Sequence, residues 1–304
     1  MFVRAAYLGV IIIWSTTPLA IQWSSIGGGY LFGVSARMLI GLLVLYLIFK
    51  ITRSSLPIAR YALKVYMVSG MGIFTSMTLV YWGAQFIPSG WVALVFGLSP
   101  IFTGVLSKLL YKKKSFSMIQ LLGMICGLVG LITIFGNSDV LNSDATLGLL
   151  AVFASTITHA MSAVLIKRIN APITGVESTL GGLSVAVPLF LIAILINSDE
   201  VSLALPLHVW GAIIYLGVIA TALGFSLYYF ILKNMEAIKV SMITLITPVT
   251  ALLLGAFLNN EPLTLSVLFG AILVVIGLGV FEFEGKLSKL LIKFTNSNSC
   301  WISK

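Results

Sequence analysis

Two side chains in this sequence could do chemistry in surroundings where polar groups are rare. Arg37 stands eight residues after Gly29, where a long apolar run begins. If that run crosses a membrane, a guanidinium at this depth costs roughly 2.5–3.5 kcal/mol on insertion scales and by default marks a functional site. Its planar fork suits a carboxylate or phosphate bidentately. The structural alternative is a long stem that snorkels outward and anchors the helix. The second is His159, which shares a stripe with Ser155, Thr158 and Ser162. The spacing i, i+3, i+4, i+7 is one face of a helix. Such a face either lines a water-filled cavity or hydrogen-bonds to neighbouring helices. The ordinary titration range of an imidazole would also let His159 carry a proton.

Other polar and aromatic residues extend the set. Tyr81 and Gln85 are four apart, as are Ser99 and Thr103, and Thr244 and Pro248 repeat the theme later in the chain. Pro100 and Pro248 free local backbone carbonyls, which a cavity could receive. Trp14, Tyr81 and Tyr228 either wall a pocket or belong to an interfacial aromatic belt. The substrate-binding candidates are therefore Trp14, Arg37, Tyr81, Gln85, His159 and Tyr228. Ser99, Pro100, Ser155, Thr244 and Pro248 are candidates for cavity lining or gating. No catalytic set and no metal site is read. Cys126 and Cys300 lack the spacing of a disulfide framework or ligand cluster.

The elements that must position these residues follow from composition. Of the 304 residues 59% are hydrophobic and 9% charged, against roughly 25% charged in soluble domains. Solid apolar runs long enough to cross a ~30 Å hydrocarbon core as helices recur throughout. They are unlike the ~10-residue alternating segments of outer-membrane barrels. The runs predict ten spans, near 4–22, 29–50, 64–85, 88–108, 117–136, 145–167, 176–196, 208–232, 237–258 and 264–282. The fold class expected is thus an all-α membrane protein with short polar breaks.

Charge gives these spans an orientation. With ten spans, 17 of the 18 basic residues fall on one face and only Arg37 remains within a span. Asp139, Asp144, Asp199, Glu200 and Glu261 collect on the other. Positive charge is retained in cytoplasmic loops, so both termini are expected in the cytoplasm, and a bacterial inner membrane is the expected location. The formal net charge of +9 then reports loop retention and contact with membrane lipid, and no nucleic-acid partner is expected.

The chain also repeats itself. Tyr81-Trp82-Gly83 through Leu98-Ser99-Pro100 aligns with Tyr229-Phe230-Ile231 through Ile246-Thr247-Pro248 at a constant offset of 148 residues. A weaker match sets Trp14-Ser15-Thr16 over Ala154-Ser155-Thr156. Five spans per copy is odd, so the second copy enters the membrane in the opposite sense. Inverted repeats are common in secondary transporters, with the site near the midplane between the halves. The expected organisation is a first half at 1–136, an external linker at 137–144, a second half at 145–284 and a basic cytoplasmic tail at 285–304.

Particular motifs strengthen this. Gln85-Phe86-Ile87-Pro88-Ser89-Gly90 through Leu98-Ser99-Pro100-Ile101-Phe102 resembles the signature of EamA-type transporters of the drug/metabolite transporter superfamily. So do Ile246-Thr247-Pro248, the turn Leu258-Asn259-Asn260-Glu261-Pro262, Trp14-Ser15 and Ala36-Arg37. The resemblance covers about residues 4–284. It implies ten helices in an inverted repeat and export or exchange of small metabolites, often amino acids. The first copy departs from the pattern: where the family carries a glutamate after the fourth helix, this chain has Lys112-Lys113-Lys114.

These readings favour a secondary transporter that exports or exchanges a small metabolite, an amino acid or a relative, by alternating access. It would act as monomer or homodimer and without a cofactor. No P-loop is present. Glu177, Glu236, Glu282 and Glu284 lie near cytoplasmic ends, so coupling through a mid-span carboxylate is not expected. The alternatives are a multidrug- or nucleoside-type carrier of the same fold, a channel, or a membrane-embedded enzyme. A channel would need a charged ring or carbonyl filter. An enzyme would need a paired acid or a Ser/His set.

Overall fold

The computed structural model describes residues 2–111, 117–136, 143–197, 205–241, 243–261 and 263–285, and these are helical almost throughout. Most of the expected linker, the Lys112–Lys114 run and nearly all of the basic tail lie outside the described residues. The first repeat holds α1 (Phe2–Ser24), α2 (Gly29–Ile51), α3 (Arg60–Gly83), α4 (Ser89–Gly97), α5 (Ser99–Tyr111) and α6 (Met118–Gly136). The second holds α7 (Ser143–Ile169), α8 (Gly175–Ile196) and α9 (Leu207–Tyr215), followed by a π-helical stretch, Leu216–Phe225. The chain continues into α10 (Ser226–Asn234), α11 (Ala237–Ser241), α12 (Ile243–Asn259) and α13 (Leu265–Glu282).

Among the described residues seven helical runs are long and apolar enough to cross a membrane, α4 with α5 and α9 through α10 each counting as one. Shorter apolar helices run over Met118–Ile134, Thr247–Asn259 and Leu265–Phe281. Large apolar side chains stand exposed around the bundle, including Ile12, Leu43, Leu122, Ile132 and Leu195. An apolar outer surface of this extent is what lipid, not water, accommodates.

The packing carries the symmetry of the repeat. Helix α2 lies on α8, its own counterpart at the 148-residue offset, and α6 on α13 is also self-paired, while α4 on α12 has its image in α5 on α11. Other contacts come in exchanged couples. Helix α3 packs on α7, while α10, in the second copy of the same element, packs on α1. Close approach at α6–α13 depends on glycine. A Cβ on Gly123 would sit 2.6 Å from the Gly277 carbonyl oxygen, and one on Gly130 2.6 Å from that of Gly270. Small residues that admit backbone contact are the usual means of helix association in lipid. The chain turns sharply between α1 and α2, where Gly27 and Gly29 take φ of 74° and 78°, a region that favours glycine.

Of the helix irregularities, two bear on the cavity wall directly. Pro18 interrupts α1, so the Trp14 carbonyl loses its i+4 donor. The neighbouring Thr16 and Thr17 hydroxyls both bond the Ile13 carbonyl, at 2.9 and 2.8 Å. The π stretch is the other. Such segments are rare and recur at functional sites.

Candidate functional site

A cavity of about 70 Å³ lies between the halves, walled by residues from both. Helix α1 supplies Trp14, Thr17, Pro18 and Ile21, α2 supplies Arg37, and α3 supplies Met77 and Val80. Val92, Ala93 and Phe96 come from α4, His159 from α7, Ala220 and Phe225 from the π stretch, and Thr244 and Thr247 from α12.

Arg37 is 2% exposed and does not snorkel. Its side chain turns into the bundle, where Nε donates to Thr221 Oγ1 at 3.0 Å and Nη1 reaches the Tyr81 hydroxyl at 3.5 Å. The guanidinium carbon stands 5.8 Å from the centroid of the Tyr81 ring, within cation–π range. Tyr81, fully buried, also accepts from Ser24 Oγ at 3.3 Å. The π stretch comes this close because Gly217 lacks a side chain: a Cβ there would meet Ile40 at 2.6 Å and the Arg37 carbonyl at 3.1 Å. A guanidinium has five N–H donors, and the bonds to Thr221 and Tyr81 use two. Among the described residues no carboxylate pairs with it. The cavity therefore holds a buried cation with donors to spare and, among the described residues, no protein counter-charge.

The opposite wall is aromatic. The His159 ring lies 5.7 Å from Trp14, 5.2 Å from Tyr228 and 6.2 Å from Phe96, measured between centroids. Trp14 and Tyr228 are 5.0 Å apart. Contacts of this kind hold rings at defined angles and leave a face or edge for a guest.

The sequence candidates thus separate into groups. Trp14, Arg37, His159 and Thr244 stand in the cavity wall. Tyr81 and Tyr228 lie one layer behind it, against Arg37 and against Trp14 with His159. The others are elsewhere. Gln85 is exposed at one end of the bundle, its amide 3.3 Å from the Trp82 carbonyl. Helix α3 stops at Gly83, so the i, i+4 relation to Tyr81 does not put the two on one helical face. Ser155 faces α3 instead of the cavity: its hydroxyl pairs with that of Ser76 at 2.9 Å and donates to the Ser76 carbonyl at 2.7 Å. Ser162 likewise donates to the Val68 carbonyl at 3.2 Å, so of that polar stripe His159 is the residue in the central wall. Ser99 and Pro100 are buried at the start of α5. Pro248 packs behind the wall, 3.2 Å from a Cβ built on Gly97. Thr17, Phe96, Thr221 and Thr247 were not on the sequence list. A lone threonine among Gly217, Ala220, Ala222 and Gly224 was the available signal for Thr221.

Comparison with known proteins agrees with this architecture. The model of the EamA-like transporter family matches twice, over residues 4–136 and 146–282. The uncharacterized transporter YoaV of Bacillus subtilis is 27% identical over 285 residues, 92% of this chain and 97% of the relative. An uncharacterized transporter of Archaeoglobus fulgidus is 29% identical over 219 residues, covering 72% and 75%. The uncharacterized inner membrane transporter YedA of Escherichia coli K12 is 26% identical over 208 residues, 66% of each. A solved crystal structure shares the fold at a TM-score of 0.69 with 18% identity, covering 92% of this chain and 97% of its own. With its apolar surface, its doubled packing and two matched family domains, the chain is a multi-pass membrane protein that belongs to the EamA-like transporter family.

Proposed function

We propose that this transporter has ten spans in two inverted halves, with both termini cytoplasmic. It exports or exchanges a small metabolite that carries an anionic group, an amino acid or a close relative. The observation that carries the reading is Arg37, buried beside the cavity, its donors only partly used and no carboxylate pairing with it among the described residues. A cation in that position is costly unless something neutralises it. A substrate carboxylate supplies the missing charge, and its release returns the site to a state ready for the next molecule. The aromatic wall of Trp14, His159, Phe96 and Tyr228 receives the rest of the solute.

The same-fold alternative, a carrier for large drugs, fits less well. A cavity of about 70 Å³ holds on the order of five waters at ~15 Å³ each, and a fixed cation favours one charge class. His159 has aromatic neighbours and, among the described residues, no acidic partner, which supports movement down the substrate's own gradient without proton coupling.

A thermal-shift screen on purified protein tests the reading. It pairs small carboxylic acids, amino acids first, with their carboxamides. We expect acids to stabilise the protein and the matched amides to fail. Stabilisation by the amides to the same degree would contradict an anionic substrate group.

A further inference from the structure

At one end of the bundle the two repeats are tied together by a carboxylate whose role the cavity does not explain. Glu261 sits in the turn between α12 and α13, in the second repeat, and reaches across to the first. Its Oε1 accepts from the Ser89 backbone N–H at 3.0 Å and the Ser89 hydroxyl at 2.6 Å, and Oε2 accepts from the Gly90 N–H at 3.1 Å. These groups open α4, so the carboxylate occupies the positive end of that helix. Asn259 adds a donor at 3.1 Å to Oε1 and donates at 3.1 Å to Gln22 Oε1. Trp23 Nε1 donates to Asn259 Oδ1 at 3.2 Å, and Gln22 Nε2 donates to the Ile87 carbonyl at 2.7 Å. The turn itself is fixed by Asn260 at φ 51° and by Glu261 N–H to the Gly255 carbonyl at 3.1 Å.

This network ties the end of α1, the α3–α4 turn and the start of α4 to the far end of α12. It adjoins the cavity wall along the chain. Ile21 precedes Gln22, and Val92 and Ala93 follow Ser89 by about one turn, and all three line the cavity. Gly90 lets the seam close, because a Cβ there would be 2.6 Å from Leu252.

The counterpart in the other repeat has the opposite chemistry. At the offset of 148, Glu261 corresponds to Lys113, and Ser89 and Gly90 correspond to Ala237 and Ile238. An ammonium cannot accept from helix N–H groups and is repelled by the helix dipole. An alanine offers no hydroxyl in place of Ser89.

We propose that Glu261 is the latch of one gate, the external one by charge segregation, and that its absence from the other repeat biases the resting carrier towards the cytoplasm. The inference rests on the alternating-access reading. Separating the halves at this end breaks charge-assisted bonds to helix N–H groups that a lysine at position 113 cannot reproduce in the other repeat.

The test uses a single cysteine at Ala93→Cys in a Cys126→Ser, Cys300→Ser background, labelled with a membrane-impermeant maleimide from outside intact cells and from the cytoplasmic face of inverted vesicles. With Glu261 present we expect slow labelling from outside and fast labelling from the cytoplasmic face. Glu261→Gln should raise the outside rate about tenfold or more, since bonds to a charged group carry roughly 1.5–3 kcal/mol. The milder Asn259→Ala should give an intermediate rise, which covers a Glu261 variant that fails to fold. An outside rate unchanged in both variants overturns the latch. Absence of cytoplasmic labelling with Glu261 present would instead sink the carrier reading, and the latch with it.

Discussion

Phe96 and Thr244 are the same position in the two repeats, 148 residues apart, and both face the cavity. One brings a ring against His159 and the other a hydroxyl. The contrast holds across the site. Arg37 gives α2 a buried cation, whereas its self-paired counterpart α8 carries Glu177, in its first turn, as its charged residue. The frame is symmetric and the chemistry is not. On the alternating-access proposal, symmetry of the frame would give the carrier two related conformations of comparable energy. On the same proposal, asymmetry of the lining decides what binds, and asymmetry at the ends decides which conformation is preferred.

Frame and lining should therefore fail in different ways. The largest effect on the frame is expected at α6–α13. Gly130→Leu would drive a side chain into the Gly270 carbonyl, and overpacking of this kind costs about 1–3 kcal/mol. We expect an earlier unfolding midpoint in detergent, with the acid-over-amide preference of the surviving protein unchanged. A changed preference would mean that α6 and α13 reach the site. A smaller effect is expected from Ser155→Ala, which removes the link to Ser76. Interhelical hydrogen bonds in membranes average about 0.6 kcal/mol, so substrate affinity should stay within about threefold. A tenfold loss would return Ser155 to the cavity wall.

Much of this frame was legible in the sequence. Apolar runs mark the helices because lipid leaves no other place for them, and the 148-residue offset marks the doubled packing. Gly123, Gly130, Gly270 and Gly277 in α6 and α13 are the small residues by which a sequence marks close helix contact. The direction of a side chain was harder. An arginine eight residues into α2 has a stem long enough to point either way, and only the approach of Gly217 and Thr221 shows which. Gln85 was paired with Tyr81 by helical spacing, but the helix ends at Gly83 and the spacing lapses there. Thr221 was hidden for a related reason. A π stretch closes i→i+5 bonds, so a wheel drawn at 3.6 residues per turn assigns its faces wrongly. The latch was visible only as polar residues in a turn, since nothing local shows that Glu261 meets Ser89, 172 residues away.

The central claim is that Arg37 is the counter-charge of the substrate. It is tested most directly by measuring the affinity of one stabilising acid and its carboxamide for the protein with Arg37 and for Arg37→Gln. With Arg37 present, the acid should bind at least about 100-fold more tightly than the amide, since two charge-assisted bonds separate them. In Arg37→Gln that preference should collapse to within a few-fold while the unfolding midpoint of the empty protein holds. A preference for the acid that survives in Arg37→Gln would contradict the account.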